Sequence, residues 1–134
     1  MSEDDLALFH DSLDRCHQAN GFIDHFYELL IGSSKEIAAK FAGTDFRRQK
    51  RVLTASLYML MVAAEGHAEG NAHLRRLAVL HDRQHLDVRP ELYDQWLASL
   101  LQAVRDCDPA WTGDVERVWT GMLGPGIDVL RGGY

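Results

Sequence analysis

The stretch LRRLAVLHDRQHLDVRPELYDQW, residues 74–96, decides the reading of the whole chain. Leu74, Leu77 and His81 recur at the spacing of one helical face, so its first half forms a helix with an imidazole on the apolar stripe. His85 stands one helical turn beyond His81 and shares that face only if the helix runs on to about Gln84 or further. Pro90 then pre-sets the first turn of a second helix through PELYDQWLASLLQAVRD, residues 90–106. Two helices meet at a short corner, and a histidine lies beside it.

Outward from this corner the apolar period stays helical, with no sustained strand-like alternation. Ser2 caps an acid-rich first turn, and Leu6, Phe9, Leu13 and Cys16 carry the first stripe. Asn20-Gly21 breaks it. Phe22, Ile23, Phe26, Tyr27, Leu30 and Ile31 build a second helix that stops at GSS, and a short helix follows from Lys35 to Phe41. Asp45 caps a long helix whose Leu53, Leu57, Leu60 and Met61 mark one buried face. Gly66 and Gly70 loosen the chain beyond it, and Asn71 is predicted to cap the helix that carries His81. Asp108-Pro109 is predicted to start the last helix, with Trp111, Val115, Val118, Trp119 and Met122. Gly124-Pro125-Gly126 should bend or interrupt it.

Bulk properties narrow the class. A chain of 134 residues, 46% apolar and 25% charged, is the size of one domain with its own core, residues 1–134. Its net charge of -6 and the absence of a basic block argue against a nucleic-acid footprint. The only cysteines, Cys16 and Cys107, form no CxxC or CxxCH motif, which fits a reducing compartment and suggests neither a zinc site nor covalent haem attachment. The acidic start MSEDDLALFH is unlike a signal peptide, and no apolar run reaches membrane-spanning length, so a cytoplasmic location is expected.

An all-α chain of six or seven helices with short connections leaves an up-down bundle or a globin-like arrangement. Four ordered segments resemble the bacterial single-domain haemoglobins, relatives of the haem domain of flavohaemoglobins, over nearly the whole length. HFYELLI resembles the family's second helix, whose tyrosine, here Tyr27, reaches over the iron from the distal side. KEIAAKF resembles the segment ending in the phenylalanine that packs on haem, here Phe41. RRQKRVL resembles the start of the distal helix, making Gln49 the polar distal residue and Leu53 the apolar one a turn later. VRPELYDQWLASLL resembles the helix after the proximal ligand, with Tyr93 at the place of a tyrosine near that ligand. The resemblance implies a three-over-three globin fold, haem b as cofactor, and apolar cofactor contacts from Phe41, Leu53, Leu77 and Val88.

In that frame one neutral imidazole must reach the iron while its other ring nitrogen is held by a hydrogen bond. His81 continues the stripe of Leu74 and Leu77 and follows Gln49 at the separation the family pattern implies; His85 is the alternative. The corner before RPE is longer than in the pattern, an insertion that RQHLD can absorb. His10, His17, His25, His67 and His73 read as surface or helix-end residues. The last helix, GMLGPGIDVLRGGY, lacks the glutamate that flavohaemoglobins set beside the proximal pair, with Asp128 the sole possible substitute, so a strong proximal push is not implied. No flavin or nicotinamide domain accompanies the globin segments, so an external reductase or small reductant is the expected electron source.

The function implied is binding of O2, and of NO and CO, at a five-coordinate haem iron. Tyr27 and Gln49 would hold O2 tightly, and NO dioxygenation would accompany binding. Two alternatives remain. One is a haem-based gas sensor; the other is a haem-free globin-like module that acts through a partner, with Trp111 as a candidate exposed contact. A monomer or homodimer suits either size class. No GxGxxG, GxxxxGK[ST], GxSxG or HExxH motif is present, which removes nucleotide, serine-hydrolase and zinc-protease readings. HDRQH spaces two histidines one turn apart, as a helical metal site would, without a third ligand nearby.

Overall fold

A computed structural model describes residues 2–66 and 68–134. Among these residues there are seven helices and no strand: α1 (Glu3–Gln18), α2 (Phe22–Ser33), α3 (Lys35–Lys40), α4 (Phe46–Ala64), α5 (Ala68–His81), α6 (Leu92–Cys107) and α7 (Gly113–Gly132). The caps follow the residue chemistry. Ser2, Ser34, Asp45 and Thr112 each accept a hydrogen bond from the backbone N–H three residues on, satisfying donors that a helix start leaves open. Gly21 takes a left-handed φ of 87° at the start of α2, a conformation that glycine adopts without steric cost.

The core lies where α1, α2, α6 and α7 converge, with Phe9, Leu13, Phe26, Leu100, Val104 and Trp119 fully buried. Phe9 and Trp119 meet at 4.6 Å between ring centroids. Around them a polar staple joins three elements. Asp108 receives both a 2.6 Å and a 3.0 Å bond from the Arg15 guanidinium, a 2.6 Å bond from Ser12 Oγ and a 2.8 Å bond from the Ala110 N–H. Trp119 Nε1 donates in turn to Ser12 Oγ at 2.9 Å. Each polar atom named in this staple thus has a partner, the condition under which burying it is not prohibitive.

Four boundaries differ from the sequence reading. The helix carrying His81 begins at Ala68 rather than Asn71, because Gly70 serves close helix contact instead of a break: a Cβ there would sit 2.3 Å from the Ala63 backbone nitrogen. The same helix ends at His81, short of Gln84, where Asp87 adopts a left-handed φ of 53° and the chain folds back. Thr112, not Asp108-Pro109, starts α7, since the Asp108 carboxylate is committed to Arg15 and Ser12. Finally, α7 runs uninterrupted through Pro125. Proline there removes only the bond to the carbonyl of Gly121, which is exposed to water, while Met122, Leu123, Gly126 and Ile127 hold the helix by burial. Trp111 is half-buried against the core rather than exposed.

Candidate functional site

Tyr27 lies in the middle of α2 and is 4% exposed. Its ring meets Phe26 at 5.0 Å and both Phe41 and Phe46 at 5.6 Å, edge to face, so an aromatic cage fixes where its hydroxyl sits. Gln49 on α4 is the polar neighbour of that hydroxyl. Burial pushes the phenol up to about 12, against the opposing pull of Gln49, so it remains a protonated donor throughout the physiological range. On α4, Leu53 is buried one turn after Gln49. Tyr27 on α2, Phe41 in the turn after α3 and Gln49 on α4 are therefore brought together. Phe46 is a member of this cluster that the sequence reading missed; its position three residues before Gln49, on the same helical face, was the available signal.

The second group forms at the end of α5. His81 Nδ1 lies 2.7 Å from the carbonyl oxygen of Leu77, one turn earlier. A carbonyl only accepts, so Nδ1 carries the proton in this contact. Burial lowers the pKa of the ring, with the Leu77 bond pulling the other way, which favours neutral imidazole with its lone pair on Nε2. Among the described residues Nε2 makes no hydrogen bond. The corner caps this turn: the Leu86 N–H bonds to Leu80 O and the Val88 N–H to His81 O, each at 3.0 Å. Leu77 is half-buried, and Val88 packs on the core. His85 differs on every count. Its side chain is 50% exposed, and its Nδ1 faces the Asp82 carboxylate at 2.7 Å.

The corner is also tied to the rest of the molecule. Lys40 Nζ donates to Leu86 O at 3.3 Å, Arg89 grips Glu36 through bonds of 2.5 and 2.7 Å, and the Tyr134 hydroxyl donates to Asp87 at 2.5 Å. Among the described residues no cluster of three or more His, Cys, Asp or Glu side chains converges, so HDRQH gathers no third ligand.

Tyr93 is buried on α6, and its hydroxyl has no partner. Burial again pushes the phenol up to about 12, with Arg131 on α7 pulling it down. Arg131 pairs with Asp94 through Nη2 while its buried Nε is unpartnered. Asp128, the sequence's candidate acid on this helix, is exposed. The charged group near Tyr93 is thus a guanidinium, which no local sequence signal announces. Of the remaining histidines, His10 and His17 are exposed and His25 pairs with Asp106 at 2.7 Å. His73 departs from the surface reading: it is half-buried and bonds Ser56 across α4 and α5 at 3.0 Å. His67 lies outside the described residues.

A seven-helix, strand-free fold of this order among the described residues is that of a globin. The chain is similar to a solved structure from Pseudomonas aeruginosa, described as structurally highly homologous to a human hemoglobin. The two share 38% identity and superpose with a TM-score of 0.92, over 97% of this chain and 98% of the other. No protein-family model and no curated protein matches the chain. At that identity and coverage the chain belongs to the bacterial single-domain globins. Among the described residues no helix is long and apolar enough to cross a membrane.

Proposed function

We propose that the protein binds haem b through His81 Nε2 and uses it to bind O2, NO and CO. The observation that carries this reading is the 2.7 Å bond from His81 Nδ1 to the Leu77 carbonyl, which orients a neutral ring with its second nitrogen free. Phe41, Leu53, Leu77 and Val88 would supply apolar contacts, and Tyr93 offers a buried hydroxyl that has no partner among the described residues. When bound, haem would supply an iron able to take a diatomic gas, with His81 as the residue that would hold it.

The chain's own groups set what happens there. The Tyr27 hydroxyl is a permanently protonated donor held by three aromatic rings, and the Gln49 amide is a second donor beside it. Two such donors retain a gas that accumulates negative charge, so slow O2 release is the expected property. NO dioxygenation, in which NO, O2 and one electron give nitrate, fits the same pair, with the electron coming from a separate reductase or small reductant. The setting proposed for this chemistry is the cytoplasm, with the protein a monomer or homodimer.

Optical spectra of the purified protein, ferric, reduced and with CO, test this directly. Wild type should show an intense Soret band and a five-coordinate ferrous form that binds CO. His81→Ala should lose proximal ligation, regained on adding imidazole, while His85→Ala should match wild type. Ligation lost with His85→Ala instead would move the ligand, and a protein that takes up no haem would leave the haem-free alternative standing.

A further inference from the structure

Between α2 and α4 lies a concavity of about 670 Å3 on the outer side of Tyr27, bordered neither by His81 nor by Leu77. Its walls come from two helical strips that face each other. Asp24, Tyr27, Glu28 and Ile31 share one face of α2, and Phe46 and Lys50 share the facing side of α4, one turn apart. Exposure orders them by depth. The Asp24–Lys50 ion pair spans the mouth, with side chains 57% and 39% exposed; Phe46 is half-buried below it, and Tyr27 is buried at the floor. Tyr27 therefore shows a ring to the groove and a hydroxyl to Gln49, which lies on α4 between Phe46 and Leu53.

We propose that this groove is the route by which small apolar gases reach Tyr27 and Gln49, with Phe46 as its inner door and the Asp24–Lys50 pair across its mouth. The inference rests on the gas-binding reading above. Its lining suits such a passenger: Ile31, Phe46 and the Tyr27 ring offer an apolar path, while the ion pair at the rim is exposed and easily parted. Phe46 touches Tyr27 and Phe41 only through ring edges and faces, so its ring can turn without breaking a hydrogen bond.

A route has a kinetic signature that a binding contact lacks. A barrier on the path in is the same barrier on the path out, so obstructing it slows association and dissociation equally and leaves affinity alone. Gly32 offers a clean obstruction: it lines the groove, and a Cβ added to its helical backbone meets nothing within 4 Å. The experiment is CO association and dissociation by flash photolysis and stopped flow on the haem-loaded wild type, Gly32→Phe, Phe46→Trp and Lys50→Ala. Crystals of wild type and Gly32→Phe pressurised with xenon accompany it. Gly32→Phe should slow both rates by about tenfold at unchanged Kd, and Phe46→Trp should slow association. Lys50→Ala should quicken both, and xenon should occupy the wild-type groove and leave that of Gly32→Phe. Rates indifferent to both bulky variants, or an affinity change at constant association rate, would overturn the route while leaving gas binding intact. A missing Soret band would instead remove the functional reading itself.

Discussion

Replacing Tyr27 by phenylalanine isolates a single hydroxyl. The ring is held by Phe26, Phe41 and Phe46 at centroid distances of 5.0, 5.6 and 5.6 Å, and phenylalanine fills the same volume, so no cavity opens and the fold should be nearly as stable. The donor facing the gas is lost, and Gln49 loses its neighbour across α2 and α4. A hydrogen bond to a partner bearing partial charge is worth about 1 to 2 kcal/mol net. If that bond is made to the gas and not to the barrier, O2 release should quicken by about five- to thirtyfold.

The assay is O2 displacement by excess CO, followed in the Soret region, beside O2 association by flash photolysis. Association should change little, which separates this variant from Gly32→Phe, where both rates move together. Gln49→Leu should raise release as well, and the double variant should fall short of the product of the two, because the residues are in contact. An O2 release rate unchanged in Tyr27→Phe would refute the reasoning and leave Tyr27 as one more aromatic in the core.

Two further perturbations test the frame that positions these residues. Asp108→Ala should destabilise the protein by about 3 to 5 kcal/mol in urea, towards the lower end because Arg15 is 30% exposed; a loss under about 1 kcal/mol would show the staple to be incidental. The Asp108 carboxyl is held below its ordinary range: burial pushes it up, but bonds from Arg15, Ser12 and the Ala110 N–H outweigh burial. The unfolded chain then binds this proton first as pH falls, so wild-type stability should decline below about pH 4, and Asp108→Asn should flatten that decline. Gly70→Ala places a Cβ 2.3 to 2.7 Å from Ala63 atoms, most of them backbone, which must move apart. A loss of about 1 to 3 kcal/mol is expected, and an unchanged Tm would refute the close contact.

What was legible in the sequence is what helical spacing encodes. Tyr27 on one stripe, Gln49 and Leu53 one turn apart, and His81 following Leu77 by one turn all stand on their helices as the period places them. What was not legible depends on partners far along the chain. Asp108 looked like a helix start because its carboxylate's true partners, Ser12 and Arg15, lie more than 90 residues away. Gly70 looked like a break because nothing local announces Ala63 against it. Pro125 looked like an interruption because its cost is local, while the burial that overrides it is tertiary.

The same reasoning explains why spacing favoured His81 without removing His85. Both satisfy the helical period, and the difference between them is where α5 stops. It stops at His81 because Asp87 takes a left-handed conformation that non-glycine residues adopt at a cost, turning Leu86 and Val88 back to cap Leu80 and His81. That cost is borne by contacts from distant elements: the Tyr134 hydroxyl binds the Asp87 carboxylate, and Lys40 of α3 binds the neighbouring Leu86 carbonyl. One imidazole is thereby left half-buried at the helix end with its Nδ1 engaged, and the other four residues on, in the exposed corner. The position of the proximal candidate is thus set by the C-terminal tyrosine and by α3 as much as by the stretch that contains it.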